Sequence, residues 1–301
     1  MNHVTVVGSI NLDTTLRVKK MARPGETIHT STIFMSEGGK GANQAVAAKR
    51  AGARTAMIGA VGKDAAGEKM LNQLVQEGID CQGVAVLEDT VTGQAFITVN
   101  DQGENSIMIH GGANVAFTPA DVRRQKQCLQ RSDFVIAQFE SSIDSTIAAF
   151  QIARRCGIKT ILNPAPARKK VPEELLSCTD LIVPNETETE IMTGVTIQDE
   201  SSMVKAAEIL HQLGIEAVII TLGSQGAFYD IEGKRGLVPA FSVQAVDTTA
   251  AGDTFIGAMS SILKKDFSNI QEAVCLGCKA SSLAVQRLGA QPSIPFLDEM
   301  L

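Results

Sequence analysis

Short runs of β-branched and aliphatic residues alternate along this chain with longer segments of helical period, and that alternation narrows the fold more than anything else in the sequence. The runs include Thr55–Val61, Phe134–Gln138, Lys159–Asn163, Leu181–Pro184 and Ala217–Leu222. Among them lie the helical segments Gly41–Arg50, Ala66–Glu77, Asp144–Arg155 and Ser202–Leu213. The β-α-β order predicts an α/β fold, a three-layer, doubly wound and mostly parallel sheet with helices on both faces. The nearly continuous apolar run Ala217-Val218-Ile219-Ile220 fits a strand covered on both sides. Ligands bind such sheets beyond the carboxyl ends of the strands, so the loops that follow strands are where chemistry is expected. From Ala251 to Gln286 the chain reads as helical, with an interruption near Asp266–Asn269.

Two stretches depart from the alternation. Thr14–Ser36 reads as two period-two strands around Arg23-Pro24-Gly25-Glu26, and Gly93–His110 as a hairpin around Asn100-Asp101-Gln102-Gly103. As insertions at residues 14–36 and 93–110 of a single domain spanning 1–301, they predict a small β-sheet that serves as a lid. Each carries three apolar residues in succession, Ile33-Phe34-Met35 and Ile107-Met108-Ile109, so both strand faces are partly apolar. One face can cover a substrate; the other needs a partner, which predicts a homodimer through the lids.

Composition excludes several classes of function. The net charge of −6, with no dense run of Lys and Arg, argues against nucleic acid and anionic membranes as partners. One Tyr and no Trp leave no aromatic platform for single strands. No window approaches the roughly 18 apolar residues of a membrane span, and Val4-Thr5-Val6-Val7-Gly8 reads as a core strand, so a soluble cytoplasmic protein is expected. The six cysteines (Cys81, Cys128, Cys156, Cys178, Cys275 and Cys278) are scattered, which suits reduced, mostly buried thiols. Cys275 and Cys278 have zinc-like spacing, but no second pair or neighbouring His follows, so they read as helix packing.

Chemistry concentrates in Val246-Asp247-Thr248-Thr249-Ala250-Ala251-Gly252-Asp253-Thr254-Phe255. A strand-like run, Phe241–Val246, ends in small residues, and a helix is predicted to begin near Gly252. The first turn of a helix carries N–H groups without partners, and its dipole favours anions. Ala250, Ala251 and Gly252 leave room for a phosphate to approach. Asp253 can simply cap that helix, or it can take a proton from a hydroxyl while the amides hold a phosphoryl group. The small residues, and Asp247 six residues earlier, favour the second reading. No Walker-type loop and no Gly-x-Gly-x-x-Gly is present. A second glycine-rich stretch, Glu37-Gly38-Gly39-Lys40-Gly41-Ala42-Asn43-Gln44-Ala45, opens a helix; it reads as a tight turn or as a ligand loop in which Asn43 offers both donor and acceptor to a polyol. Asn11-Leu12-Asp13, just after the first strand, adds a second polar pair at the same sheet edge, where Asp13 reads equally as a turn residue.

The Gly38–Asn43 and Asp247–Phe255 segments resemble the two motifs of the ribokinase-like (PfkB) carbohydrate kinases, and their order, separation and insertions are similar over essentially the whole chain. The resemblance implies phosphoryl transfer from MgATP to the primary hydroxyl of a small sugar. Its nearest form, carried by Gly-Lys-Gly-Ala-Asn-Gln, Gln138-Phe139-Glu140 and Gly289-Ala290-Gln291-Pro292-Ser293, implies D-ribose as acceptor. It implies that Asn11, Asp13, Gly39, Lys40, Asn43 and Glu140 bind sugar hydroxyls, that Asp253 is the general base, and that Ala250, Ala251 and Gly252 line the anion hole. Asn185 and Glu188 would orient Mg2+ and phosphate, largely through water. Thr221, Gly223 and Gly226 would contact ATP, and Cys278 stands where His or Asn is often found beside the adenine. Asp247 and Thr249, with Ala284, Arg287, Gly289 and Ser293, would enclose K+. The rivals are the same chemistry on 2-deoxyribose, a ketohexose or a nucleoside, and a non-catalytic sugar-binding regulator. The intact Asp253 argues against the regulator.

Overall fold

The computed structural model describes residues 1–231 and 233–301. In chain order the strands are β1 (His3–Val7), β2 (Asn11–Arg17), β3 (Thr32–Gly38), β4 (Arg54–Gly62), β5 (Asp80–Leu87), β6 (Gly93–Val99), β7 (Asn105–His110), β8 (Phe134–Ala137), β9 (Lys159–Leu162), β10 (Leu181–Ile182), β11 (Ala217–Thr221), β12 (Ala227–Ile231) and β13 (Lys234–Val238). Nine form one sheet in the order β13-β12-β11-β10-β9-β8-β1-β4-β5. It is parallel from β11 to β5, and the antiparallel β12 and β13 close one edge.

Both faces of this sheet are buried, and the period of two sends alternate residues into two separate cores. Val4, Val6, Phe134, Ile136 and Ile219 pack on one side against the helices Lys40–Arg50, Ala251–Ile262 and Ile270–Ala284. Val7, Val135, Ala137, Val218 and Ile220 pack on the other, against Ile143–Arg155 and Glu200–Gln212. These are the three predicted layers. The predicted helices end within one or two residues of those observed, the usual scatter of frayed termini.

The remaining four strands form a second sheet, β3-β2-β6-β7, from the two predicted insertions. One boundary differs. Asn11, Leu12 and Asp13 belong to β2 rather than to a loop, because they pair with Gly93–Ala95 on one side and Ser36–Gly38 on the other. A second difference is Phe241–Val246, which is no strand; it runs exposed and irregular, and Val246 donates to the Val285 carbonyl at 2.7 Å. The cysteines are less buried than expected: only Cys278 is buried, and Cys156 and Cys275 are exposed. No helix among the described residues is long and apolar enough to cross a membrane.

Candidate active site

Ser9, Gln138, Asn163 and Val183 stand just beyond the carboxyl ends of β1, β8, β9 and β10, and Thr221 closes β11. The helices Lys40–Arg50 and Ala251–Ile262 cross above them. These two helices come close because Gly257 has no side chain: a Cβ there would lie 2.4 Å from the Cβ of Ala47. The contact sets Asn43 and Gln44 opposite Asp253. Asn43 Nδ2 donates to Asp253 Oδ2 at 3.0 Å, and Gln44 Nε2 to Oδ1 at 2.9 Å. Asp253 is 6% exposed and does not cap its helix, which has no side-chain cap at all. The capping alternative is thereby removed.

At the same helix end, Ala250 adopts a left-handed φ of 58°. The Ala251 N–H reaches the Thr248 carbonyl at 3.2 Å, whereas the N–H groups of Gly252 and Asp253 find no partner among the described residues. A Cβ on Gly252 would meet nothing within 4 Å. Gly252 and Asp253 line a cavity of about 180 Å³ whose walls also include Lys40, Glu188, Thr221 and Thr248. A larger hollow of about 470 Å³, beside the Ile143–Arg155 helix, contains none of the predicted residues.

Charge is crowded here. The carboxylate of Asp253 is the main influence that holds the Lys40 ammonium above its ordinary value, against burial, with Glu140 and Glu188 adding to it. Burial, then the charges of Glu140 and Asp253, push Asp13 up to about 7. Burial also raises Glu188, helped by Asp253 and opposed by the Asn185 N–H and Lys40. Four carboxylates around one ammonium make a site that welcomes hydroxyl donors and cations.

Most of the predicted residues meet at this place. Glu140 Oε2 accepts from Ser9 Oγ at 2.7 Å and from the Lys40 N–H at 3.0 Å, tying the end of β8 to the start of the Lys40–Arg50 helix. Gly39 caps that helix at φ 88°, and a Cβ there would lie 2.8 Å from the Asn11 nitrogen, so only glycine fits. Asn11 Oδ1 accepts from Asn114 Nδ2 at 2.7 Å. Asp13 Oδ1 and Asn43 Oδ1 are buried acceptors without a partner among the described residues. Across the cavity, Asn185 and Glu188 hold each other in a capping box at 2.8 and 2.9 Å, and Asn185 bridges to Thr221. Gly223 and Gly226 form the turn beyond Thr221 and lie outside the cavity wall.

Asp247 joins two distant loops. Its Oδ2 accepts from the Gly289 N–H at 2.9 Å, and its Oδ1 from the N–H and hydroxyl of Thr249 at 2.9 and 2.6 Å. Burial opposes ionisation, but these donors win and hold Asp247 below its ordinary range. Nearby, the Ala284 carbonyl accepts from the Arg287 N–H at 3.0 Å, Ser293 donates to the Ala290 carbonyl at 2.7 Å, and the Arg287 guanidinium turns to Glu299. Cys278 is not brought to the cavity. It sits 6% exposed in the apolar core, where burial pushes its thiol up to about 11. Sequence reasoning missed Gln44, Ser9, Asn114, Gln138 and Asn163. Gln44 stood inside the glycine-rich stretch and Gln138 opened the Gln138-Phe139-Glu140 segment, while Ser9, Asn114 and Asn163 carry no local signal and acquire a partner only through the fold.

A family model described as pfkB family carbohydrate kinase matches residues 1–297. The bifunctional ribokinase/ribose-5-phosphate isomerase A of Fructilactobacillus sanfranciscensis is 47% identical over 302 residues, covering 100% of this chain; the chain spans 56% of that protein. The ribokinase of Staphylococcus aureus is 46% identical over 300 residues, 99% of this chain and 98% of its own. Among solved structures, an Arabidopsis thaliana ribokinase complexed with ribose and ATP is 30% identical, with a TM-score of 0.93 over 99% of this chain and 97% of its own.

Proposed function

This chain belongs to the pfkB family of carbohydrate kinases, and from that premise we propose that it phosphorylates the primary (5-) hydroxyl of D-ribose with ATP, giving ribose 5-phosphate and ADP. The observation that carries this reading is Asp253: a buried carboxylate held on both oxygens by amides, at a helix N-terminus that lines a cavity and has N–H groups without a partner among the described residues.

In the proposed reaction Asp253 takes the hydroxyl proton. The sugar oxygen forms a bond to the γ-phosphorus as the bond to the β–γ bridging oxygen breaks, and ADP leaves with that electron pair. The N–H groups of Gly252 and Asp253, with the Lys40 ammonium, face the charge spread over the phosphoryl oxygens. This narrows the anion hole expected from Ala250, Ala251 and Gly252, since the Ala251 N–H is occupied. Asp13 and Asn43 offer their unpartnered oxygens to sugar hydroxyls, beside Asn11, Gly39 and Glu140. Thr221, Gly223 and Gly226 lie on the nucleotide side. Cys278 fits an adenine contact poorly from inside the core.

For Mg2+, Glu188 and Asn185 fit a water-mediated role, because each is already held by the other in the capping box at the cavity wall. The ion would neutralise phosphate charge. For K+, Asp247 and Thr249 with carbonyls near Ala284, Arg287 and Gly289, and with Ser293, supply oxygens only, as a large monovalent cation requires; the ion would add positive charge behind the anion hole. We take the second sheet to be a lid on a single domain that pairs two chains, and the protein to work in the cytoplasm.

The test is turnover of Asp253→Asn, expected to fall by roughly 10²–10⁴-fold with nucleotide binding retained. Near-normal turnover would sink the assignment. In the same ADP-release assay, ribose should exceed 2-deoxyribose in kcat/KM by about tenfold or more, because a missing hydroxyl leaves a buried acceptor unpaired.

A further inference from the structure

Behind Asp253 stands a buried row of three neutral amides, Gln44 that touches it and two more that no role above employs. Gln44 and Gln138 are 0% exposed and Asn163 is 7% exposed. The hydrogen bonds leave no choice of orientation. The Val183 carbonyl can only accept, so Asn163 turns Nδ2 toward it at 3.0 Å and Oδ1 toward Gln44. Asn163 Oδ1 and Asp253 Oδ1 also only accept, so Gln44 must present Nε2 to both, at 3.2 and 2.9 Å. That leaves Gln44 Oε1 to accept, which it does from Gln138 Nε2 at 2.5 Å. The row is anchored just beyond the carboxyl ends of β8, β9 and β10, in the middle of the nine-stranded sheet.

We propose that Gln44, clamped from behind by Gln138 and Asn163, is a positioning residue that fixes the plane and direction of the Asp253 carboxylate for proton transfer. The inference rests on Asp253 being the base. Each carboxylate oxygen has about two lone-pair sites. Gln44 and Asn43 take one on each oxygen and leave the others to an incoming hydroxyl. A neutral amide suits this task. Asp253 already shares its surroundings with the carboxyls of Asp13 and Glu188, with the Lys40 ammonium opposite. Another carboxylate would repel it, whereas an arginine would bind the lone pairs that must accept the proton. An amide orients without doing either. Asn43 alone would leave the carboxylate free to swing about a single contact, and a misplacement of about 1 Å can cost on the order of 10²-fold in rate.

The experiment compares Gln44→Met, Asp253→Asn and the double variant, each as full-length protein with ribose and ATP. Methionine keeps the volume and removes both hydrogen-bonding ends. Gln44→Met is expected to lower kcat by about 10²-fold while both KM values stay within about threefold. In the Asp253→Asn background the same change should cost less than about twofold, since a residue acting only through the base falls silent without it. Losses that multiply in the double variant would mean a merely structural role and would overturn the proposal. Full turnover of Gln44→Met beside a collapsed Asp253→Asn would also overturn it, leaving the base assignment standing. Full turnover of Asp253→Asn would remove the base assignment itself. If Gln44→Met does not fold, Gln138→Met loosens Gln44 from behind. That variant should lose about tenfold in kcat, again at little cost in KM, and unchanged kcat there would equally overturn the proposal.

Discussion

Asp13 sits where burial and two neighbouring carboxylates hold its proton on, with a pKa of about 7 against an ordinary 3.8. The folded chain thus binds that proton more tightly than the unfolded chain. Stability falls as pH rises through the window between those two values, and the deficit persists above it. An empty site stores this cost, and a bound hydroxyl relieves it by donating to the unpartnered Oδ1. Asp13→Asn should therefore melt higher than the parent protein, with a larger gain at pH 8 than at pH 5, while the KM for sugar rises by about tenfold or more and that for ATP holds. Thermal melts at the two pH values and two KM measurements decide it. A gain independent of pH would show that the Asp13 carboxyl does not titrate in that window. The identity of such a residue is legible in sequence as a polar pair near a strand end. Its missing partner is not, because Glu140 and Asp253 reach it only through the fold.

Two elements meet at Asp247, the loop before the Ala251–Ile262 helix and the loop after the Ile270–Ala284 helix. Sequence reasoning placed the helices well and misread what precedes the first, taking Phe241–Val246 for a strand. The period-two pattern is there, but its backbone bonds go to Val285 rather than to a strand. Asp247 then binds Gly289 and Thr249, so the geometry of the free amides at Gly252 and Asp253 depends on a segment some 40 residues on. A cation held by those loop oxygens would stiffen both at once. At matched ionic strength, potassium chloride should raise kcat/KM several-fold over sodium chloride or a large organic cation. Equal rates in all three would leave Asp247 a purely structural link.

Over the whole molecule the smaller sheet leaves apolar surface uncovered. Met35, Ile107, Met108 and Ile109 are 54–60% exposed, and Phe34 is 44% exposed. Such apolar residues on the two opposite edge strands, β3 and β7 on either side of β2 and β6, are what a second copy would bury. Light scattering should give twice the chain mass at micromolar concentration, and Met35→Lys with Ile107→Lys should give the single chain. A parent protein that already scatters as a monomer would refute the pairing. The sequence by itself determined the layered sheet, the second sheet and the two glycine-containing segments, because each is written in local period and in residues whose backbone freedom is intrinsic. Only the tertiary structure decided that Asp253 is held by Asn43 and Gln44 rather than capping its own helix, that Cys278 lies in the core, and that Gln138 and Asn163 stand behind the base. The first and last of those facts depend on side chains 94 to 210 residues apart in sequence arriving within hydrogen-bond distance, which packing alone arranges.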